Sequence, residues 1–242
     1  MRAAMVLGSI LLLGACHMGS DEHEAQGGGG SGRRDYQVGS FDRVQLGGAH
    51  NVVVTVGGAS AVRAEGDPKS LERLDIRVEN GRLEIGSRER WSIGQHGGKP
   101  VTVHVTVPSL RGASIDGSGD LRVDRVEGND FSGNIGGSGN LEIGAMKVGR
   151  ASFAIAGSGG IRATGTAEEA EISVAGSGDV AADALQVKRG KISVMGSGDV
   201  RLQASEAADV SVMGSGDVTV SGSARCTVNK MGSGDVRCGA GG

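Results

Sequence analysis

Four carboxylates, Asp179, Asp199, Asp217 and Asp235, each close a Gly-Ser-Gly-Asp tetrapeptide, and Asp120, Asn140 and Gly160 hold the same position upstream. Carboxylates on tight glycine turns are hard oxygen ligands of the kind Ca2+ accepts. Glycine-rich acidic turns also occur in calcium-binding nonapeptide repeats, but at a shorter period than the 18–20 residues seen here. Stacked about 4.8 Å apart, two such charges repel by roughly 0.9 kcal/mol even at the dielectric of water, so something must offset them. A bound cation is one answer, and Ca2+ is the one cofactor the sequence suggests. The other is structural: Arg122, Arg162, Arg201 and Arg237 lie two residues beyond the acidic position on the same outward face, and the turn offers backbone N–H groups. The structural answer is favoured.

Other reactive side chains point to no catalysis. Serine recurs in every turn from Ser118 to Ser233, but a nucleophile needs an oriented base beside it, and no histidine follows His104. His50, His96 and His104 lack metal-ligand spacing, and His17 and His23 sit among acids in a glycine-rich stretch. Of the three cysteines, Cys16 ends the apolar run Ala3–Leu13 in Leu13-Gly14-Ala15-Cys16, behind the charge of Arg2. That run is too short to span a bilayer. The pattern predicts a lipoprotein signal peptide at 1–15 and lipidation of Cys16. Cys226 and Cys238 then form the remaining pair. They flank the last turn, both face inward by alternation, and in an oxidising compartment they are expected to form a disulfide.

The elements that carry these groups repeat. Gly-Ser-Gly begins at 117, 137, 157, 176, 196, 214 and 232, spaced 20, 20, 19, 20, 18 and 18 residues apart. Within each unit apolar residues alternate with period two, as in Leu141/Ile143 and Ile192/Val194, which is a strand pattern. A lone unit buries four or five apolar side chains for roughly 1.5–3 kcal/mol each, against about 1–2 kcal/mol per ordered residue. It folds only by stacking on its neighbours. Aligned units superpose Met195, Met213 and Met231, and likewise Val180, Val200, Val218 and Val236. The predicted fold is all-β: a single-stranded, right-handed parallel β-solenoid of about 18–20 residues per coil. Regular coils span 117–242, and a less regular β-rich part spans 36–116. In that part, Asp67-Pro68 caps one helical turn, Leu74–Glu79 and Arg82–Ile85 form a hairpin about Asn80-Gly81, and Val101–Val107 is a strand.

Composition agrees. Glycine accounts for 46 of 242 residues, aromatics for 2%, and the net charge is −3, so the core must be aliphatic and the chain carries no basic signature for nucleic acid. Residues 16–35 read as a glycine-rich tether reaching about 25 Å r.m.s..

From 36 to 242 the chain resembles the auto-transporter adhesin head GIN domain family. The features that carry the resemblance are Phe41-Asp42-Arg43-Val44, Gly47-Gly48-Ala49-His50-Asn51-Val52, Gly66-Asp67 before Leu71, Asn80-Gly81-Arg82-Leu83-Glu84-Ile85, Val105-Thr106-Val107-Pro108-Ser109-Leu110 and the Gly-Ser-Gly-Asp series. The resemblance implies one β-helix-like domain, exported and often lipid-anchored, and no catalytic set. The chain departs from the family pattern at Gly160 and at Gly47-Gly48-Ala49, where an acid and a serine are missing.

The expectation is a non-catalytic lipoprotein of the cell envelope. His17 stands where an aspartate would hold a lipoprotein at the inner membrane, so the outer membrane is expected. The membrane is contacted through the lipid, and a repeat face is offered to a glycan or envelope protein. The alternative is a β-helix enzyme, or a cation-dependent binder using Asp179, Asp199, Asp217 and Asp235, acting on envelope polysaccharide.

Overall fold

A computed structural model describes residues 31–88 and 99–239. The expected signal peptide, Cys16, most of the tether and His96 lie outside the described residues. In chain order the elements are β1 (Gly32–Tyr36), β2 (Arg43–Gly48), β3 (Asn51–Val56), β4 (Ala61–Gly66), α1 (Pro68–Arg73), β5 (Leu74–Glu79), β6 (Arg82–Ser87), β7 (Thr102–Val107), β8 (Gly112–Gly117) and β9 (Asp120–Val123). Longer strands follow, bent at the corners of the coil: β10 (Val126–Gly137), β11 (Asn140–Gly157), β12 (Gly160–Gly176), β13 (Asp179–Gly196) and β14 (Val200–Gly214). The chain ends in β15 (Val218–Ser221), β16 (Arg225–Gly232) and β17 (Val236–Cys238). All join one continuous sheet wound into a solenoid of about six turns.

Parallel stacking puts like residues on like. Ile155 lies between Ile135 and Val174, and Leu141 between Leu121 and Ile161. These inward positions are buried along the whole stack, at roughly 1.5–3 kcal/mol per large aliphatic side chain. Two of the three core phenylalanines, Phe131 and Phe153, sit on adjacent coils and are accommodated by small neighbours. Ala151 stacks on Phe131, and Gly133 lies where a Cβ would stand 2.8 Å from Leu141 and 3.0 Å from Phe153. Unequal unit lengths are absorbed away from the glycine corners. Register slips between Ile143 and Met146, between Arg162 and Thr164, and between Ala182 and Gln186. The strands running into each Gly-Ser-Gly stay aligned residue for residue.

In the N-terminal part, order along the chain is not order in space. β2 lies between β6 and β8, and β3 between β7 and β9, all parallel. The β2–β3 coil is therefore sandwiched between two coils formed later in the sequence. Beyond β6 and β7 the direction reverses: β5 runs antiparallel to β6, β4 to β7, and β1 to β4. Asp67 caps α1 by accepting from Ser70 N–H at 3.2 Å, with Pro68 in the first turn. The first described strand, β1, starts at Gly32, inside the stretch assigned as tether up to residue 35. Gly32 has no side chain to collide with Leu71 on α1, which is why so polar a segment can dock as a strand.

The opposite end closes differently. Cys226 continues the inward column of Ala170, Gly190 and Ala208, and Cys238 that of Ala182, Leu202 and Val220. Their disulfide links the two strands at the open end of the last coil, with Cα atoms 6.4 Å apart, Cys226 half-buried and Cys238 exposed. Lys230 stands where Val174, Val194 and Val212 lie in the coils above, and its Nζ donates to the Gly234 carbonyl at 2.8 Å. Val228, next in the core row, is 43% exposed.

Candidate functional site

The Gly-Ser-Gly turns form a single ridge. Ser138 N–H donates to the Gly117 carbonyl at 2.9 Å, and the same bond joins every successive corner down to Ser233 and Gly214. The row starts at Gly48, which accepts from Ser118 N–H at 3.0 Å although its own turn has no serine. Two constraints exclude other residues. Gly137 has φ +144°, and a Cβ on Gly139 would overlap the Gly119 carbonyl oxygen. The serines between them are exposed and have no histidine beside them.

The aspartates crown this ridge. Asp199 N–H donates to Asp179 Oδ1 at 2.9 Å, Asp217 N–H to Asp199 Oδ1 at 2.9 Å, and Asp235 N–H to Asp217 Oδ1 at 2.8 Å. Asn140 N–H and Nδ2 both donate to Asp120 Oδ1. Each of these carboxylates except the last, Asp235, thus satisfies a donor one full coil away, not within its own turn. At Gly160 the ladder breaks, and the Gly160 and Asp179 amides turn to the carbonyls of Gly139 and Gly159. The expected arginine partners are mostly engaged elsewhere or apart from the ridge. Arg122 pairs with Glu142 at 2.8 Å, and only Arg237 approaches a ridge carboxylate, Asp235, at 3.8 Å on an exposed surface. The backbone dipoles, not the guanidinium groups, offset the carboxylate repulsion. Among the described residues, no three His, Cys, Asp or Glu side chains converge as a metal would require. A shallow groove of about 160 Å³ runs between Asp199, Asp217 and Asp235 on one side and Arg201 and Arg237 on the other.

A second charged column stands at another corner, where Asp130, Arg150, Glu169 and Arg189 succeed one another from coil to coil. Glu169 is held by Arg150 at 2.7 Å and Arg189 at 2.6 Å. Hydrogen bonds from Arg189 and Arg150 pull its carboxyl below the ordinary range. Beside this column lies a groove of about 650 Å³ whose polar lining combines Arg43, Arg111, Ser132 and Ser152 with the carboxylates Glu127 and Asp130. It opens where Val126–Asp130 of β10 pairs with β11 alone, because the β2–β3 coil has no segment above it.

His50 is a structural residue. It is buried at the first corner; Val101 N–H donates to its Nδ1 at 3.4 Å, leaving Nε2 3.1 Å from Ser87 Oγ. Burial lowers its pKa from 6.5, so it stays neutral. His104 is exposed, 3.9 Å from Glu65. Sequence reasoning missed the groove at Arg43 and Arg111. Their spacing carries no signal, since they meet only because β2 and β8 are neighbours.

The fold and the ridge define a parallel β-solenoid protein of adhesin-like architecture. The chain belongs to the family described as "Putative auto-transporter adhesin, head GIN domain", which it matches over residues 40–224. Its fold is shared by a "putative adhesin" from Bacteroides fragilis, 23% identical, covering 86% of this chain and 96% of that one with a TM-score of 0.79. It is shared too by two Parabacteroides distasonis proteins. One is described as a "putative lipid binding protein" (21% identical, TM-score 0.70, covering 87% and 97%) and the other as a "putative adhesin" (20%, 0.69, 87% and 98%). No curated protein matches the chain.

Proposed function

We propose that the chain is a lipoprotein anchored through Cys16, expected at the outer membrane, and that its solenoid binds an extended envelope polysaccharide without catalysis. The observation that carries this reading is the groove at Arg43, Arg111, Ser132 and Ser152, where guanidinium and hydroxyl donors meet the acceptors Glu127 and Asp130 at the start of a long periodic face. An extended chain of sugars matches such a row of polar donors, and with so few aromatic residues the contacts are hydrogen bonds and ion pairs. The non-catalytic part rests on the ridge: each aspartate below Gly160 except the last accepts a backbone N–H at Oδ1, and no general base adjoins the serines. A glycan array tests the binding. Wild-type protein should retain an acidic polysaccharide, and Arg43→Ala combined with Arg111→Ala should weaken retention at least fivefold without changing Tm. Equal retention by both would end this reading. Palmitate labelling that is lost in Cys16→Ser tests the anchor separately.

A further inference from the structure

Three of the four large apolar side chains exposed among the described residues are methionines of one column: Met195 (49%), Met213 (51%) and Met231 (72%). The fourth, Val228, is bared because the solenoid ends there. The methionines have no such excuse, since Met195 and Met213 lie inside the stack. Met213 pairs with Met195 on one side and Met231 on the other, and Ala175 continues the column above. Their outward neighbours are short: Ser193, Ser211 and Asn229 along the strands, and Ser197, Ser215 and Ser233 around the corner. Three long, flexible thioethers therefore stand clear of their surroundings, with no carboxylate in the flanking positions.

From this column we infer that Met195, Met213 and Met231 form a binding site for a soft monovalent cation of the Cu(I) or Ag(I) type. Thioether sulfur selects soft ions and ignores Ca2+ and Mg2+. The strand spacing of about 4.8 Å matches the span of two sulfurs across one ion, since a metal–sulfur bond is about 2.3 Å. The third methionine can complete a trigonal set, because the unbranched side chain adapts freely. Both cysteines of the described solenoid are locked in the Cys226–Cys238 bridge, so its exposed soft donors are these methionines.

Ag(I) nitrate in chloride-free buffer, added to the full chain carrying 13C-labelled methionine methyls, tests this. The methyl resonances of Met195, Met213 and Met231 should move together and saturate at one ion per chain, while that of buried Met146 stays in place. Met213→Leu keeps the apolar area and should keep Tm, yet should weaken silver binding at least tenfold. Met195→Leu, which leaves the Met213–Met231 pair, should weaken it less. Methyl resonances unmoved at equimolar silver, or Met213→Leu binding within twofold of the parent, would overturn the site. The second result would mark the column as a purely apolar contact surface.

Discussion

The regular stack and the N-terminal cap solve one problem in opposite ways. From β8 onward every strand finds its neighbour about one repeat away in sequence, so each coil templates the next. In the cap, β2 and β3 are enclosed on both sides by strands from later in the sequence, and β1, β4 and β5 each run antiparallel to a neighbour. Repetition builds length cheaply but leaves an edge ready to accept another strand. The antiparallel strands seal one edge with a different topology. At the other end the last coil keeps the parallel topology and is stopped by chemistry, with a disulfide across its open end and a lysine at the position of a core column. Coils in the middle are therefore nearly equivalent, whereas the two ends are specialised.

The sharpest way to break this contrast is a single Cβ in the middle of the ridge. Gly178→Ala would press against the Gly159 carbonyl oxygen and stand 2.6 Å from Ile155 Cγ2. Because the corners above and below are in register, the clash has no slack, and a loss of about 3–5 kcal/mol or outright failure to fold is expected in thermal and urea melts. Gly48→Ala, at the head of the same ridge, meets nothing within 4 Å and keeps only the strain of its φ of +93°. It should cost about 1–2 kcal/mol. Equal costs would mean that the corners are not coupled from coil to coil.

The C-terminal stop should fail locally. Cys226→Ser with Cys238→Ser removes a cross-link over a separation of 12 residues and should cost about 2–3 kcal/mol. Hydrogen exchange should rise across 225–239 and stay unchanged in β1–β7. Lys230→Val restores the apolar column of Val174, Val194 and Val212 at an uncovered edge. It should produce concentration-dependent self-association in sedimentation velocity, because an inward charge on an edge strand is what keeps such edges apart.

Between pH 7.5 and 5 the cap carries a pH dependence from His50, whereas the lowered carboxyl of Glu169 in the stack acts at more acid pH. Burial lowers the pKa of His50, so as pH falls below about 6.5 the unfolded chain takes up the proton first. Stability is complete above that value and declines as pH falls towards the folded pKa, by at most about 1.4 kcal/mol per pH unit for one proton. Melts from pH 7.5 to 5 should show this slope in the parent and a shallower one in His50→Gln.

The stack was legible because its period lies in the sequence: the glycine corners and the alternating aliphatics recur at a nearly fixed offset, and the alternation places both cysteines in inward columns. The cap was less so. The hairpin at Asn80-Gly81 and the Asp67 helix cap are local signals and stand as expected. The insertion of β2–β3 between later coils is a long-range choice that no local pattern encodes. Strand β1 was hidden because Gly32-Arg33-Arg34-Asp35-Tyr36 shows no apolar alternation; backbone pairing with β4 and the space under Leu71 make it a strand. Turn chemistry identified Asp as a hydrogen-bond acceptor but assigned it a donor in its own turn, whereas the donor lies 18–20 residues along the chain.

That last difference sets the smallest expected effect. If the ridge aspartates act through the backbone, Asp199→Asn, which keeps an acceptor oxygen, should be nearly neutral. Asp199→Ala, which orphans Asp217 N–H on an exposed corner, should cost about 1 kcal/mol. If charge were the point, through a cation or a salt bridge, Asn and Ala would lose alike, and added Ca2+ would raise the parent's Tm but neither variant's. The cap is the control. At its first corner His50 occupies the place of the second glycine of the motif, and no carboxylate ladder starts until Asp120. Neither Asp199 variant should therefore alter the pH slope set by His50, and the two regions should respond as separate parts of one continuous sheet.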